Sequence, residues 1–272
     1  MLPDPNTLLK LCKAFEDLPT KEHSDRWAAL WDDKFTPWDR GMPSMALNDL
    51  LTDNPNGVIP LPNEDSKKTT LVPGCGKGYD VLLLSYFGYN VVGLEYAPTA
   101  IEQAKEIFEK AQTEDLCNTA LPRKRGDISW ICQDFFAEGE VDARGPFDLI
   151  FDFTFFCALP PSMRPGWASR IKNLLSPGGR LICLEFPTEK ASSEAGPPWA
   201  AHPEDYLGYL ANPGAQPQTD EHGGVVGDQL GPVAPGGLKR LAHVKPRRTH
   251  TIGTDSDGRV MDFISVWGHA DE

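Results

Sequence analysis

The stretch Leu71-Val72-Pro73-Gly74-Cys75-Gly76-Lys77-Gly78-Tyr79-Asp80 runs an apolar segment straight into glycines at three alternate positions. Glu95 follows seventeen residues after the last of them, at the end of the apolar run Val91-Val92-Gly93-Leu94. Glycine lets the backbone turn and approach a ligand where a Cβ would block either. An acidic residue ending the next strand, about 20 residues on, is placed to accept hydrogen bonds from ribose hydroxyls. The pattern predicts a turn that cradles an adenosine-bearing cofactor, with Glu95 as its ribose partner. The Gly-x-Gly-x-Gly spacing departs from the Gly-x-Gly-x-x-Gly of dinucleotide sites, and a cofactor without phosphates needs no helix N-terminus. A nicotinamide-dependent reductase is further disfavoured because the chain carries no Tyr-x-x-x-Lys pair for hydride transfer.

Trp27 and Trp31 stand at i and i+4 on one helix face. There they either pack the helix onto a sheet or offer aromatic faces to a cation. Trp38, between Pro37 and Asp39 beyond the end of that helix, is poorly placed for ordinary core, and its alternative use is as a clamp on the N-terminal segment. Cys75 lies inside the turn, where a small side chain is wanted for space, and is expected to pack inertly.

Holding such groups together calls for alternating strands and helices. Residues 7–16 and 23–33 have helical periodicity, with Leu8, Leu11 and Phe15 on one stripe and Trp27, Leu30 and Trp31 on another. From residue 69 the pattern becomes strand 69–72, glycine turn, helix 80–87, strand 90–94 and helix 98–111. Apolar runs of strand length follow at 128–133 and 147–151, then a helix over 163–175 stopped by Ser176-Pro177-Gly178-Gly179, and a strand at 180–185. This alternation predicts an α/β fold, a mostly parallel sheet with helices on both faces. Residues 189–237 break the rhythm with many Gly and Pro and are expected as a lid over the site or a partly disordered insertion. Strands return at 239–245 and 260–267, and no internal repeat is evident.

A chain of 272 residues with 40% hydrophobic residues supplies one large core. Its formal charge of −13 argues against nucleic acid, whose binding draws on Lys and Arg neutralising phosphates, so the runs at 123–125 and 245–248 read as solvated loop charges. The six cysteines, at 12, 75, 117, 132, 157 and 183, include no Cys-x-x-Cys pair and suggest neither a metal site nor a disulfide framework. With no long apolar stretch for a membrane, the protein is expected to be cytoplasmic, a monomer or homodimer acting on a small molecule.

Phe147-Asp148-Leu149-Ile150-Phe151-Asp152 and Leu174-Leu175-Ser176-Pro177-Gly178-Gly179-Arg180-Leu181-Ile182 resemble the fourth strand and the approach to the fifth in class I S-adenosylmethionine-dependent methyltransferases. Trp27-x-x-x-Trp31 followed by Phe35-Thr36-Pro37-Trp38-Asp39-x-Gly41 resembles the signature of the thiopurine methyltransferase-like group, most closely its halide and thiol methyltransferase branch of plants and fungi. With Phe151-Asp152-Phe153-Thr154-Phe155-Phe156-Cys157-Ala158 and Met163-Arg164-Pro165-x-Trp167-Ala168, the resemblance extends over about residues 27–187.

The resemblance implies a Rossmann-like, seven-stranded, mostly parallel doubly wound sheet with an N-terminal helical cap. As one domain, it divides into a cap at 1–66, a cofactor-binding core at 67–188, the lid at 189–237 and C-terminal strands at 238–272. S-adenosylmethionine is the implied donor and S-adenosylhomocysteine the product. Its binding residues are Trp27, Trp31, Trp38, Gly74, Cys75, Gly76, Glu95, Asp134, Phe135, Asp152 and Phe153, with Asp134 at the position that holds the adenine amino group. Asp152 either touches the donor's methionine end or caps the next helix. The implied acceptor pocket comprises Trp38, Phe156, Trp199 and Tyr206. Trp199 stands where plant relatives carry a tyrosine, and losing that hydroxyl weakens a preference for small hydrated anions alone. The implied reaction is in-line transfer to a soft nucleophile, a thiol, hydrosulfide, thiocyanate or halide ion, without a covalent enzyme intermediate or a metal. A base such as Asp152, Asp39 or His202 would help only an organic thiol, which is a few per cent ionised near neutrality. The alternatives are a heteroaromatic-thiol methyltransferase and a cofactor-binding module without catalysis.

Overall fold

The computed structural model describes residues 4–63, 66–113 and 124–272, so Cys117 and Arg123 lie outside the described residues. Helix α1 (Pro5–Lys13) starts where the Asp4 side chain accepts the Asn6 N–H, and α2 (His23–Asp32) and α3 (Met45–Asp53) follow, the last capped by Ser44 Oγ on the Leu47 N–H. The alternating part runs β1 (Thr69–Pro73), α4 (Tyr79–Tyr86), β2 (Asn90–Glu95), α5 (Pro98–Thr113), β3 (Ile128–Cys132), α6 (Glu140–Arg144), β4 (Phe147–Phe153), α7 (Arg164–Leu174) and β5 (Leu175–Glu185). Helix α8 (Pro203–Ala211), β6 (Leu238–Val244) and β7 (Phe263–His269) complete it.

The seven strands form one sheet in the order β3-β2-β1-β4-β5-β7-β6. The first five pair in parallel, and β7 runs antiparallel to both β5 and β6. Because the chain leaves β1 toward β2 on one side and returns as β4 on the other, strand order reverses between β1 and β4. A crevice at the carboxyl ends of such strands is where open α/β sheets bind ligands. Side chains alternate across the sheet as the pleat requires. Leu71 and Ile150 face Trp167 and Ile171 of α7, while Val72, Leu149 and Phe151 face Leu47 and Leu51 of α3 and Val81 of α4.

Three features depart from the expected layout. Helix α3 lies in the segment expected as a cap but buries Ala46, Leu47, Leu50 and Leu51 against the sheet, leaving α1 and α2 to cover the crevice. Residues 176–179 do not separate a helix from a later strand: β5 begins at Leu175, opposite Phe147, and the register resumes at Leu149 opposite Arg180 after a bulge. Within 189–237, α8 is docked into the core through Tyr206, Tyr209 and Leu210. Among the described residues no helix is long and apolar enough to cross a membrane, and five cysteines are unpaired.

Candidate functional site

A cavity of about 710 Å³ opens at the carboxyl ends of the parallel strands, floored by the glycine turn. Gly74 and Gly76 have φ of +58° and +51°. A Cβ on Gly74 would lie 2.4 Å from Cδ2 of Phe155, and one on Gly76 would come 3.3 Å from Trp31. The turn is tied to β2 by Cys75 N donating to Leu94 O (3.0 Å) and Gly76 N donating to Glu95 Oε2 (3.1 Å). Glu95 Oε1 accepts from Tyr96 N (2.8 Å) and Ala97 N (3.1 Å). Burial pushes its carboxyl up, against these three backbone bonds. An ionised carboxylate with three donors keeps acceptor capacity for a ribose hydroxyl. Burial, and then Glu95, push the Cys75 thiol well up, so it stays protonated.

Helix α2 is clamped over the turn where the Tyr96 hydroxyl donates to Asp25 Oδ1 (2.6 Å) and the Thr99 hydroxyl to Asp32. This presents Trp31 to Gly76 and starts an aromatic chain. Trp38 meets Trp31 at 5.6 Å and Trp27 at 4.9 Å, both edge to face. On the opposite wall Phe135 meets Phe155 at 5.1 Å. Asp134 Oδ1 accepts from Phe136 N (2.8 Å), leaving Oδ2 with only a long contact from Ser24 Oγ (3.5 Å). Helix α1 covers the crevice, its Cys12 Sγ donating to the carbonyls of Ala195 (3.6 Å) and Pro197 (3.4 Å). Trp27, Trp31, Trp38, Gly74, Cys75, Gly76, Glu95, Asp134, Phe135 and Phe153 all line the cavity.

Other sequence-derived candidates are elsewhere. Asp152 alternates with the cavity-lining Phe151 and Phe153 and so points to the other face of the sheet. There its Oδ1 accepts from Phe156 N (3.0 Å) and its Oδ2 from Trp167 Nε1 (2.9 Å), and burial raises its carboxyl to about 6. Phe156 and Tyr206 are not pocket walls but core, their rings 4.3 Å apart behind β4. The cause is Thr154, a non-glycine residue at φ +60°, which turns the chain so that Phe155 faces the cavity and Phe156 the interior. Such a conformation costs about 1–3 kcal/mol and tends to persist at sites of function. Trp199 stacks on His23 (6.0 Å, 13°) behind α2, while Pro197 and Pro198 supply the wall. His202 sits at the start of α8, its Nε2 2.8 Å from Lys190 O, outside the cavity. Asp39 lines the cavity but is engaged by Lys77 Nζ (2.5 Å) and Gly41 N (2.9 Å).

Two lining residues carried no signal in the sequence reading. Arg40 occupies the unspecified position of the Trp38-Asp39-x-Gly41 motif, and His250 arrives from the loop before β7. The His250 ring lies parallel to Phe153 at 5.4 Å. Burial, and then Arg40, lower its pKa to about 4, so the imidazole is neutral at physiological pH.

Residues 22–222 match the sequence pattern of the thiopurine S-methyltransferase family. A probable thiol methyltransferase 2 of Arabidopsis thaliana is 37% identical over 194 residues, covering 71% of this chain and 74% of the relative. Thiocyanate methyltransferase 1 of Brassica oleracea is 33% identical over 67% of this chain and 70% of its own. A thiopurine S-methyltransferase of Methylococcus capsulatus is 32% identical over 70% of this chain and 81% of its own.

Proposed function

We propose, for a chain that belongs to the thiopurine S-methyltransferase family and is an S-adenosylmethionine-dependent methyltransferase, that the acceptors are soft anions: hydrosulfide, thiocyanate, organic thiolates and iodide. The observation that carries this reading is the aromatic chamber of Trp27, Trp31, Trp38, Phe153 and Phe155 adjoining the glycine turn. The turn suits the donor, since side chains at Gly74 or Gly76 would fill the cradle and Glu95 keeps acceptor capacity. In this reading Glu95 takes the ribose hydroxyls, Asp134 the adenine amino group, and Phe135 packs the base. The bound donor supplies a methyl group on positively charged sulfur and leaves as S-adenosylhomocysteine.

The protein's own work is placement and exclusion of water. Indole faces stabilise a desolvated cation by about 0.5–2 kcal/mol. Walls that hold the acceptor in line at roughly 3–3.5 Å from the methyl carbon also strip an anion of hydration and sharpen its attack. Asp39 is bound to Lys77, Asp152 faces the core and His202 lies outside, so none of the three is placed as a base. His250, with its lowered pKa, is a weak one. In this reading the acceptor enters already ionised.

The test is a screen with labelled donor across iodide, thiocyanate, hydrosulfide and aromatic thiols at several pH values. Iodide should give a flat profile and thiols one that rises with pH. Transfer to oxygen acceptors alone would overturn the assignment. The size of the chamber favours a second reading, a heteroaromatic thiol as the preferred acceptor, because pockets of about 300–1,000 Å³ enclose drug-sized ligands. The five cysteines among the described residues are unpaired, which suits a reducing compartment, and we read the protein as a cytoplasmic monomer or homodimer.

A further inference from the structure

We propose that the Arg40 guanidinium is the receptor for the anionic acceptor and sets the charge selectivity of the site, an inference that rests on the reading of soft anions as acceptors. Arg40 lines the cavity. Its Nη1 donates to Pro37 O (3.1 Å), which anchors it in the loop that carries Trp38. Its Nε is buried and, among the described residues, has no hydrogen-bond partner. Among the described residues it forms no ion pair, although Asp39 and Asp262 stand near enough to act on its charge. Asp39 is paired with Lys77 (2.5 Å), and Asp262 accepts from the Thr249 hydroxyl (2.5 Å) and stays short of an ion pair with Arg40. The neighbouring Cys157 thiol, pushed up by burial to about 12, stays neutral and offers no counter-charge.

The other cations of the wall are committed. Lys77 is held by Asp39, and Lys190 Nζ donates to the carbonyls of Ala195 and Pro198 at 2.6 Å each. A buried N–H without an acceptor is costly unless a ligand satisfies it. Guanidinium is also more weakly hydrated than ammonium, and so matches polarisable, weakly hydrated anions such as thiocyanate and iodide. Arg40 and His250 line the same cavity, the Arg40 charge lowers the His250 pKa, and His250 lies against Phe153, so the charge stands near the aromatic wall where β4 ends.

The experiment is calorimetric titration of thiocyanate into protein saturated with S-adenosylhomocysteine, together with steady-state kinetics for thiocyanate and iodide, in wild type, R40M and R40K. R40M should weaken thiocyanate binding about tenfold or more, the loss expected for a hydrogen bond to a charged group. KM should rise by a similar factor with kcat less affected, R40K should fall between, and affinity for S-adenosylhomocysteine should stay within twofold of wild type. Equal thiocyanate affinity and KM in R40M and wild type would overturn the role of Arg40 while leaving the acceptor reading intact. So would a parallel loss of S-adenosylhomocysteine binding in both variants, which marks a scaffold residue. If the wild type methylates none of the soft acceptors, the acceptor reading itself falls and this inference with it.

Discussion

Glu95→Gln tests the proposed contact between Glu95 and the ribose of the donor. The wild-type carboxylate accepts three backbone N–H groups, Gly76 on Oε2 and Tyr96 and Ala97 on Oε1. Glutamine offers one oxygen and one amide nitrogen in the same volume. With the oxygen toward Tyr96 and Ala97, the amide nitrogen meets the Gly76 N–H; with the side chain flipped, two bonds are lost instead of one. The cheaper orientation forfeits one charge-assisted bond and leaves a buried N–H unsatisfied, about 1–3 kcal/mol of stability. It also replaces the acceptor offered to ribose by a donor, which costs about 1.5–3 kcal/mol of binding, or roughly 10- to 150-fold in Kd. Titration calorimetry with S-adenosylhomocysteine, beside thermal unfolding of the free protein, reads both quantities. Wild-type affinity should also fall on acidification, because burial raises the Glu95 pKa and protonation removes the charge, whereas the variant should be insensitive. Binding within twofold of wild type, with normal unfolding, would refute the assignment of Glu95 to the ribose.

Gly74→Ala places a Cβ in the left-handed region and 2.4 Å from Phe155; urea unfolding should show a loss of about 1–2 kcal/mol, and donor binding should fall with it. Trp38→Ala should lower kcat/KM by about tenfold, the scale of one cation–aromatic contact, while Trp38→Phe retains most of it; equal rates for all three would return Trp38 to a scaffold role. The Asp152 carboxyl is raised to about 6, so the native state holds its proton more tightly than the unfolded chain, and the stability it confers is present below about pH 4 and lost as pH rises to about 6. Asp152→Asn should therefore destabilise more at pH 4.5 than at pH 7, by about 2 kcal/mol, with an unchanged shape of the pH–rate profile for thiols. An alkaline rise that vanished in this variant would make Asp152 a base after all.

Local periodicity carried most of the layered architecture. The strands at 69–73, 90–95 and 128–132 lie within a residue or so of their expected limits because apolar runs bounded by Gly or Pro have few other folds open to them. Helix α3 was legible but unread: Ser44 is a standard N-cap, and Ala46, Leu47, Leu50 and Leu51 form one stripe. Helix α8 had its signals too, Pro203 at the first turn with Glu204 and Asp205, but they sit inside a Gly/Pro-rich stretch that reads as loop. At the site, the turn, Glu95 and the three tryptophans were readable because each is local. Asp152 takes the second of its two expected roles, its side chain accepting the Phe156 N–H, while Phe156 leaves the cavity because Thr154 reverses the sequence of facing just there. Arg40 and His250 reach one cavity only through the topology, and no spacing announces them.

Strand β7 follows β6 in the chain yet lies between β6 and β5. On the ribosome, the glycine turn is complete by residue 78, long before His250 and the residues of β7 have been made. Until they emerge, the outer edge of β5 exposes unpaired backbone groups, an invitation to aggregation, and β6 has no neighbour to receive it. Pairings so distant in sequence are slow to form. A nascent chain therefore carries the glycine turn, Glu95 and Asp134 early and gains the His250 wall of the cavity only as its last strand is made.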